Sequence, residues 1–350
     1  MKFLRSAFPS LLRDSRRIAL LGSAAGLTAV AGDFPAPATL SDAGRAALAQ
    51  FSRARRDAPL PAPDDVAGWK RVQADIETSR AAANAAVVRQ YEPTLASRTL
   101  GGVPVLDIQP RGWRPSRQVL VYTHGGAYTM YSSHSRLMSA VPMAADTGRR
   151  VISVDYTLAP HAQWPVVTSQ VVSVIQALVA EGHALSDIAI YGESAGGGLA
   201  AGAVLKMRDA GLGMPAAVVL WSPWADITDT GDTYATLQDA DPLLYYPGNL
   251  RNCAAAYAAP ADQKHPYVSP VYGDYTQGFP PTLIQVGTKE IFLSNAVRQY
   301  QALDQAGVPV KLDPYEGMWH IFQVFSHDIP EAQLARRKVR AFLDTRLGAP

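Results

Sequence analysis

The feature that most limits how this chain can fold is an alternation of short apolar runs with helix-like stretches between residues 119 and 313. Val119–Tyr122, Val151–Val154, Ile188–Tyr191, Ala217–Trp221, Thr282–Val286 and Val310–Asp313 read as buried strands. Pro165–Ala180 and Ala195–Ala210 read as helices between them. Strands alternating with helices predict an α/β fold with a mostly parallel central sheet covered on both faces. Such sheets bind ligands beyond the carboxyl ends of their strands, so the chemistry is sought just after each run.

Ahead of this pattern, Gly101–Ile108 suggests a hairpin. Ala43–Arg56 and Val66–Tyr91 read as helices separated by the Pro-rich turn Pro59-Leu-Pro-Ala-Pro63. Nothing in this stretch looks catalytic, and a cap is the natural role for helices that precede the sheet. Residues 228–266, rich in Tyr, Asp and Pro, interrupt the alternation and read as a second insertion over the same site. The expected organisation is a leader over 1–31, an N-terminal cap region over 32–95, and a catalytic domain over 96–350 carrying the 228–266 insertion.

Gly192-Glu193-Ser194-Ala195-Gly196 follows the run at Ile188 and opens an Ala/Gly-rich helix. A strand–turn–helix with a serine at its sharp turn is a nucleophile elbow, and the helix N-terminus behind it favours developing negative charge. A Gly-rich helix start used only for packing is the alternative. Tyr122-Thr-His124-Gly125-Gly126-Ala127 follows the run at Val119. Attack on an ester carbonyl creates an alkoxide that needs about two or three amides aimed at it, and one lost donor costs roughly 3 kcal/mol. The amides of Gly125, Gly126 and Ala195 are the expected oxyanion donors, with His124 as a loop anchor.

A serine hydroxyl needs an imidazole base, itself held by a carboxylate. Of seven histidines, only His320 lies in a loop after the last expected strand. The order nucleophile, acid, histidine along such chains selects it. The acid then falls between Ser194 and His320, and Glu290, at the end of the run at Thr282, is the first choice. Asp241 is second, inside the insertion, while Asp226 is expected to fix local backbone. Tyr128, Tyr131, Trp221, Trp224, Tyr245 and Tyr246 could line an apolar pocket, although aromatic side chains more often fill cores.

Taken together, the motifs resemble the hormone-sensitive-lipase-like esterases, bacterial family IV, of the α/β-hydrolase superfamily. His124-Gly-Gly-Ala127 is similar to the family's H-G-G-G, and Gly192-Glu-Ser-Ala-Gly196 to its G-D-S-A-G. Val154-Asp-Tyr-Thr-Leu-Ala-Pro160, Leu220-Trp-Ser-Pro-Trp-Ala-Asp226 and Gly317-Met-Trp-His320 match further family motifs, over roughly Gly101–Leu347. The departure is Glu290-Ile-Phe where most members carry Asp-Pro-Leu. The resemblance implies hydrolysis of short- to medium-chain carboxylic esters, a helical cap built partly from the N-terminus, and no cofactor. Lactone or amide hydrolysis, or transesterification, with the same groups is the enzymatic alternative. A ligand-binding receptor on this scaffold is the other, disfavoured because nucleophile, base and acid are all present.

The remaining sequence features bear on partners and location. The formal net charge is +2, but residues 1–31 hold Lys2, Arg5, Arg13, Arg16 and Arg17 against Asp14, leaving the rest slightly acidic. That distribution argues against a nucleic-acid partner. Ile18–Ala31 is a short apolar run ending in Ala29-Val-Ala31. It predicts export, periplasmic or secreted, with cleavage near Ala31, whereas a retained leader leaves the protein cytoplasmic. No apolar run reaches transmembrane length, so no stable membrane span is expected. The lone Cys253 excludes an intramolecular disulfide and a cysteine zinc site. The expected partner is a small-molecule ester, with a homodimer left open.

Overall fold

The computed structural model describes residues 33–350; the leader expected over 1–31 lies outside the described residues. Among the described residues eight strands are formed: β1 (Thr94–Leu100), β2 (Val103–Gln109), β3 (Val119–Thr123), β4 (Arg150–Val154), β5 (Ile188–Glu193), β6 (Ala217–Trp221), β7 (Thr282–Gly287) and β8 (Val310–Tyr315). They make one sheet in the order β1-β2-β4-β3-β5-β6-β7-β8. β1 and β2 are antiparallel to each other, and β2 to β4. All later pairings are parallel. Every residue of β3, β5, β6 and β7 is buried, as parallel strands covered on both faces require.

The helices are α1 (Asp42–Leu48), α2 (Arg53–Arg56), α3 (Val66–Tyr91), α4 (Leu137–Thr147), α5 (Trp164–Ala180) and α6 (Ala195–Asp209). α7 (Thr233–Thr236), α8 (Arg251–Tyr257), α9 (Leu293–Gln305), α10 (Phe322–Phe325) and α11 (Pro330–Leu347) follow. α5, α6 and α9 pack one apolar layer on the sheet, through Val171, Leu199 and Leu303 among others. α4 and α11 pack the opposite layer through Val141, Val339 and Leu343. Extra helical elements form a cap. The chain runs from β3 outward to β4 and then back across to β5 on the other side of β3. The order of strands reverses there, and a crevice opens at the carboxyl ends of β3 and β5.

Three local expectations change. The single helix expected over Ala43–Arg56 is instead two, α1 and α2, because Ser52 is extended (φ −135°, ψ 144°) and its side chain caps α2 by accepting from the Arg55 amide. The break turns Phe51 edge-on to Trp319, with ring centroids 5.4 Å apart. α4 has no counterpart in the sequence reading, because Pro142 lies in its interior and reads as a breaker. The hairpin starts at Thr94, ahead of the expected segment, and turns through Gly101 and Gly102 at φ +56° and +79°. A two-residue turn with both φ positive suits glycine and matches strand twist.

The N-terminal segment is tied to the 228–266 insertion by directed bonds. Arg56 Nη1 donates to the carbonyls of Gln238 and Asp241, Asn249 donates to the Arg56 carbonyl, and Asn252 to those of Leu60 and Pro61. α3 starts on an Asp65 cap, where Gly68 N donates to Oδ1 at 2.8 Å, and buries Trp69 completely. No helix among the described residues is long and apolar enough to cross a membrane.

Candidate active site

Ser194 joins β5 to α6 at φ 58°, ψ −128°, a conformation that costs a non-glycine residue energy and persists only when its surroundings fix it. Its amide donates to the Trp221 carbonyl at 2.9 Å, and its carbonyl accepts from Trp224 N at 2.8 Å. The turn is so tight that a Cβ on Gly196 would lie 2.0 Å from the Thr123 carbonyl oxygen. This is the elbow expected from the sequence, standing at the reversal of strand order. Ser194 lines a cavity of 150 Å³ together with Gly126, Ala127 and His320.

His320 follows β8, and its Nδ1 lies 2.7 Å from Glu290 Oε2. Glu290 follows β7, and its other oxygen accepts from Ser222 Oγ and from the Gly287 amide, each at 2.7 Å. Ser222 Oγ in turn accepts from Ile321 N at 3.1 Å, so one hydroxyl braces both the carboxylate and the histidine loop. His320 Nε2 is buried and has no hydrogen-bond partner among the described residues. It makes no bond to Ser194 Oγ, but both residues face the one cavity. The geometry is that of an oriented imidazole with its outer nitrogen available.

Asp241, the second candidate acid, is buried but does not bond the imidazole. Its Oδ1 accepts from Leu243 N and Leu244 N at 2.8 and 2.9 Å, and its Oδ2 from Ile291 N at 2.8 Å. Burial pushes this carboxyl up to about 6, against the opposing pull of His320 and the three amides. Asp226 binds Thr228, Tyr272 and Arg298 and fixes its own loop, as expected.

The loop after β3 departs from expectation at one donor. Gly125 N donates to Glu193 Oε1 at 2.9 Å, so that N–H is already engaged. The amides of Gly126, Ala127 and Ala195 have no such partner among the described residues, and Gly126 and Ala127 line the cavity. The reason lies in backbone angles: Gly126 and Ala127 sit at φ +119° and +53°, which turns successive N–H groups in different directions. His124 lies behind the loop, its ring stacked on Tyr156 with centroids 4.2 Å apart and its Nδ1 2.8 Å from the Gly125 carbonyl. Burial lowers its basicity, which suits a neutral anchor.

A family model described as an alpha/beta hydrolase fold matches residues 120–324. The chain is 37% identical over 258 residues to an acetyl-hydrolase of Streptomyces hygroscopicus, covering 71% of this chain and 85% of that protein. It is 33% identical over 253 residues to an esterase of Acinetobacter venetianus, covering 71% and 82%. A solved esterase from the bacterial hormone-sensitive lipase family superposes with a TM-score of 0.76 at 31% identity, covering 88% of this chain and 99% of that one. The chain belongs to the α/β-hydrolase family, as an esterase closely related to the bacterial hormone-sensitive-lipase group.

Much of this esterase's pocket wall was not legible from sequence. Of the six aromatic candidates only Tyr131 lines the cavity. Tyr128 stacks on Tyr257 with centroids 3.6 Å apart, and Trp221 and Trp224 are core. The rest of the wall includes Met130, Arg136, Leu243, Leu244, Leu250 and Phe325. Leu243 and Leu244 come from the insertion, whose interruption of the strand–helix rhythm was the available signal. Ser222 sits in the Leu220–Asp226 motif, which gave no hint of its bond to Glu290, and Arg136 carried no signal, since its partner Glu193 is distant in sequence. Among the described residues, no group of three or more His, Cys, Asp or Glu side chains could hold a metal ion.

Proposed function

We propose that this esterase hydrolyses short- to medium-chain carboxylic esters through an acyl-enzyme on Ser194, with His320 as base and Glu290 as its orienting acid. The observation that carries the reading is the His320–Glu290 bond at 2.7 Å, which leaves Nε2 free in the cavity that Ser194 lines. With substrate bound, Ser194 Oγ gives its proton to His320 Nε2 and attacks the ester carbonyl. Bonds between nucleophile and base are often long in unliganded enzymes and tighten on binding. The alkoxide rests on the amides of Gly126, Ala127 and Ala195. Ala127 thus replaces Gly125, whose N–H is engaged by Glu193. His320 then protonates the leaving alcohol and takes a proton from water; the hydroxide displaces the acyl group as the carboxylic acid, and His320 returns its proton to the departing Ser194 Oγ.

The cap is proposed to comprise residues 32–95 and 228–266 over a catalytic domain spanning 96–350. A cavity of 150 Å³ closed by Leu243, Leu244 and Leu250 suits acyl chains of few carbons. The Streptomyces relative, an acetyl-hydrolase, supports the same end of the range. The test is a series of p-nitrophenyl esters of rising acyl length, run beside Ser194→Ala. A preference for acetyl to butyryl is expected, with at least about a thousandfold loss in the variant. Equal turnover by the variant would remove the serine mechanism.

A further inference from the structure

We propose that Glu193 and Arg136 are positioning residues that hold the oxyanion donors against Ser194; the inference rests on the donor assignment above. Glu193 is the last residue of β5, directly before the nucleophile, and its side chain reaches under the loop that follows β3. Its Oε1 accepts from Gly125 N at 2.9 Å and from the Tyr122 hydroxyl at 2.8 Å. Arg136 bonds the same carboxylate once, Nη2 donating to Oε2 at 3.3 Å, while its Nε lies 3.2 Å from Oε1 as an ion-pair contact without a hydrogen bond. The absence of a side chain at Gly125 makes the room, since a Cβ there would lie 2.1 Å from Glu193 Oε2. Elbow, donor loop and the segment before α4 therefore meet at one carboxylate.

Two physical reasons make this more than packing. First, Gly126, Ala127 and Tyr128 are consecutive residues at φ +119°, +53° and +65°. Backbone in that region is strained for side-chain-bearing residues and relaxes unless neighbouring bonds over-determine it. The charge-assisted bond from Gly125 N fixes the start of the run, and the Ala159 amide, 2.9 Å from the Tyr128 carbonyl, fixes its end. Second, a bare carboxylate one residue from the nucleophile would oppose a developing alkoxide, and Arg136 cancels that field. Buried ion pairs add little stability over apolar pairs of equal volume. Arg136 is only 4% exposed yet lines the reaction cavity, its guanidinium 4.0 Å from the Tyr131 ring centroid.

The test compares an alkyl methyl ketone with its trifluoromethyl counterpart as inhibitors of the full chain. The fluorinated ketone adds to Ser194 Oγ and places an oxyanion on the amides, whereas the methyl ketone reports ground-state binding alone. The ratio of their inhibition constants is expected to fall about a hundredfold in Glu193→Gln and in Arg136→Met, on the scale of one lost donor. Arg136→Lys, which restores the charge, should lose less than about tenfold. Methyl ketone affinity and KM should stay within about threefold while kcat falls with the ratio, a split that general loosening does not produce. A ratio within threefold of wild type in either folded single variant would overturn the proposal. Should a single variant lack a cooperative melt, Glu193→Gln/Arg136→Met, which buries no net charge, is measured instead; a wild-type ratio there also overturns it. A wild-type enzyme that binds both ketones equally would sink the serine mechanism itself, and this inference with it.

Discussion

Two buried carboxylates lie near one imidazole, and their hydrogen bonds separate their work. Glu290 spends one oxygen on His320 Nδ1 and the other on Ser222 and Gly287, so it can hold the tautomer that leaves Nε2 free. Asp241 spends both on backbone amides of the pocket wall and of Ile291. Glu290→Gln is expected to lower kcat by about four orders of magnitude, as when a triad acid is made neutral. Asp241→Asn should cost far less, within about tenfold; steady-state kinetics on an aryl acetate decides, and a reversed ranking would make Asp241 the acid. Asp241 also carries a pH signature. Burial raises its carboxyl to about 6, whereas an unfolded aspartate titrates near 4. Between those values the folded chain binds the extra proton, so this group's contribution to stability falls as pH rises through the window, by up to about 3 kcal/mol. Urea unfolding of wild type and Asp241→Asn at pH 4 and pH 6 should show the difference between them shifting against the wild type at the higher pH. A constant difference would contradict it.

At the level of elements, the elbow depends on β3 and α6 touching backbone to backbone. Gly196→Ala places a methyl 2.0 Å from the Thr123 carbonyl oxygen. A loss of about 3 kcal/mol or more is expected, because neither strand nor helix can yield. The short α1 acts at a distance from the sheet: Leu48 packs with Met318, Trp319 and Phe322 around the histidine loop. Leu48→Ala should lower stability by about 2–5 kcal/mol in denaturant melts, and an unchanged midpoint would mean the segment is not docked there. These elements differ in how readable they are. β3 to β7 announce themselves because both faces of these strands are covered and their runs are mostly apolar, whereas the edge strand β8, with Lys311 and Asp313, reads mainly from its place in the alternation. α4 does not announce itself, since Pro142 sits at a position where burial overrides helix propensity. α1 and α2 merge in sequence because the Ala- and Arg-rich stretch keeps a helical rhythm across Ser52, whose extended backbone and cap on α2 break it, with Phe51 turned onto Trp319.

For the whole molecule, the sheet order places the ends of β3, β5, β7 and β8 along one rim, so that the loop after β3, Ser194, Glu290 and His320 come together from four separate stretches. That convergence was legible because each group follows a recognisable strand and the fold imposes a chain order. What escaped was anything set by dihedral angles or by a distant partner. Spacing alone does not say which of three successive amides is already engaged; only the structure shows that Gly125 N is bonded to Glu193 Oε1, with Gly126 and Ala127 following at φ +119° and +53°. The Arg136–Glu193 pair spans 57 residues and carries no periodic signal. The most direct test of the converged site is covalent titration with diethyl p-nitrophenyl phosphate, read by intact mass and peptide mapping. One phosphoryl group per chain on the Ser194 peptide is expected, with esterase activity lost in proportion. Full ester turnover in a chain whose Ser194 is phosphorylated, or complete inactivation with the label on another residue, would contradict it.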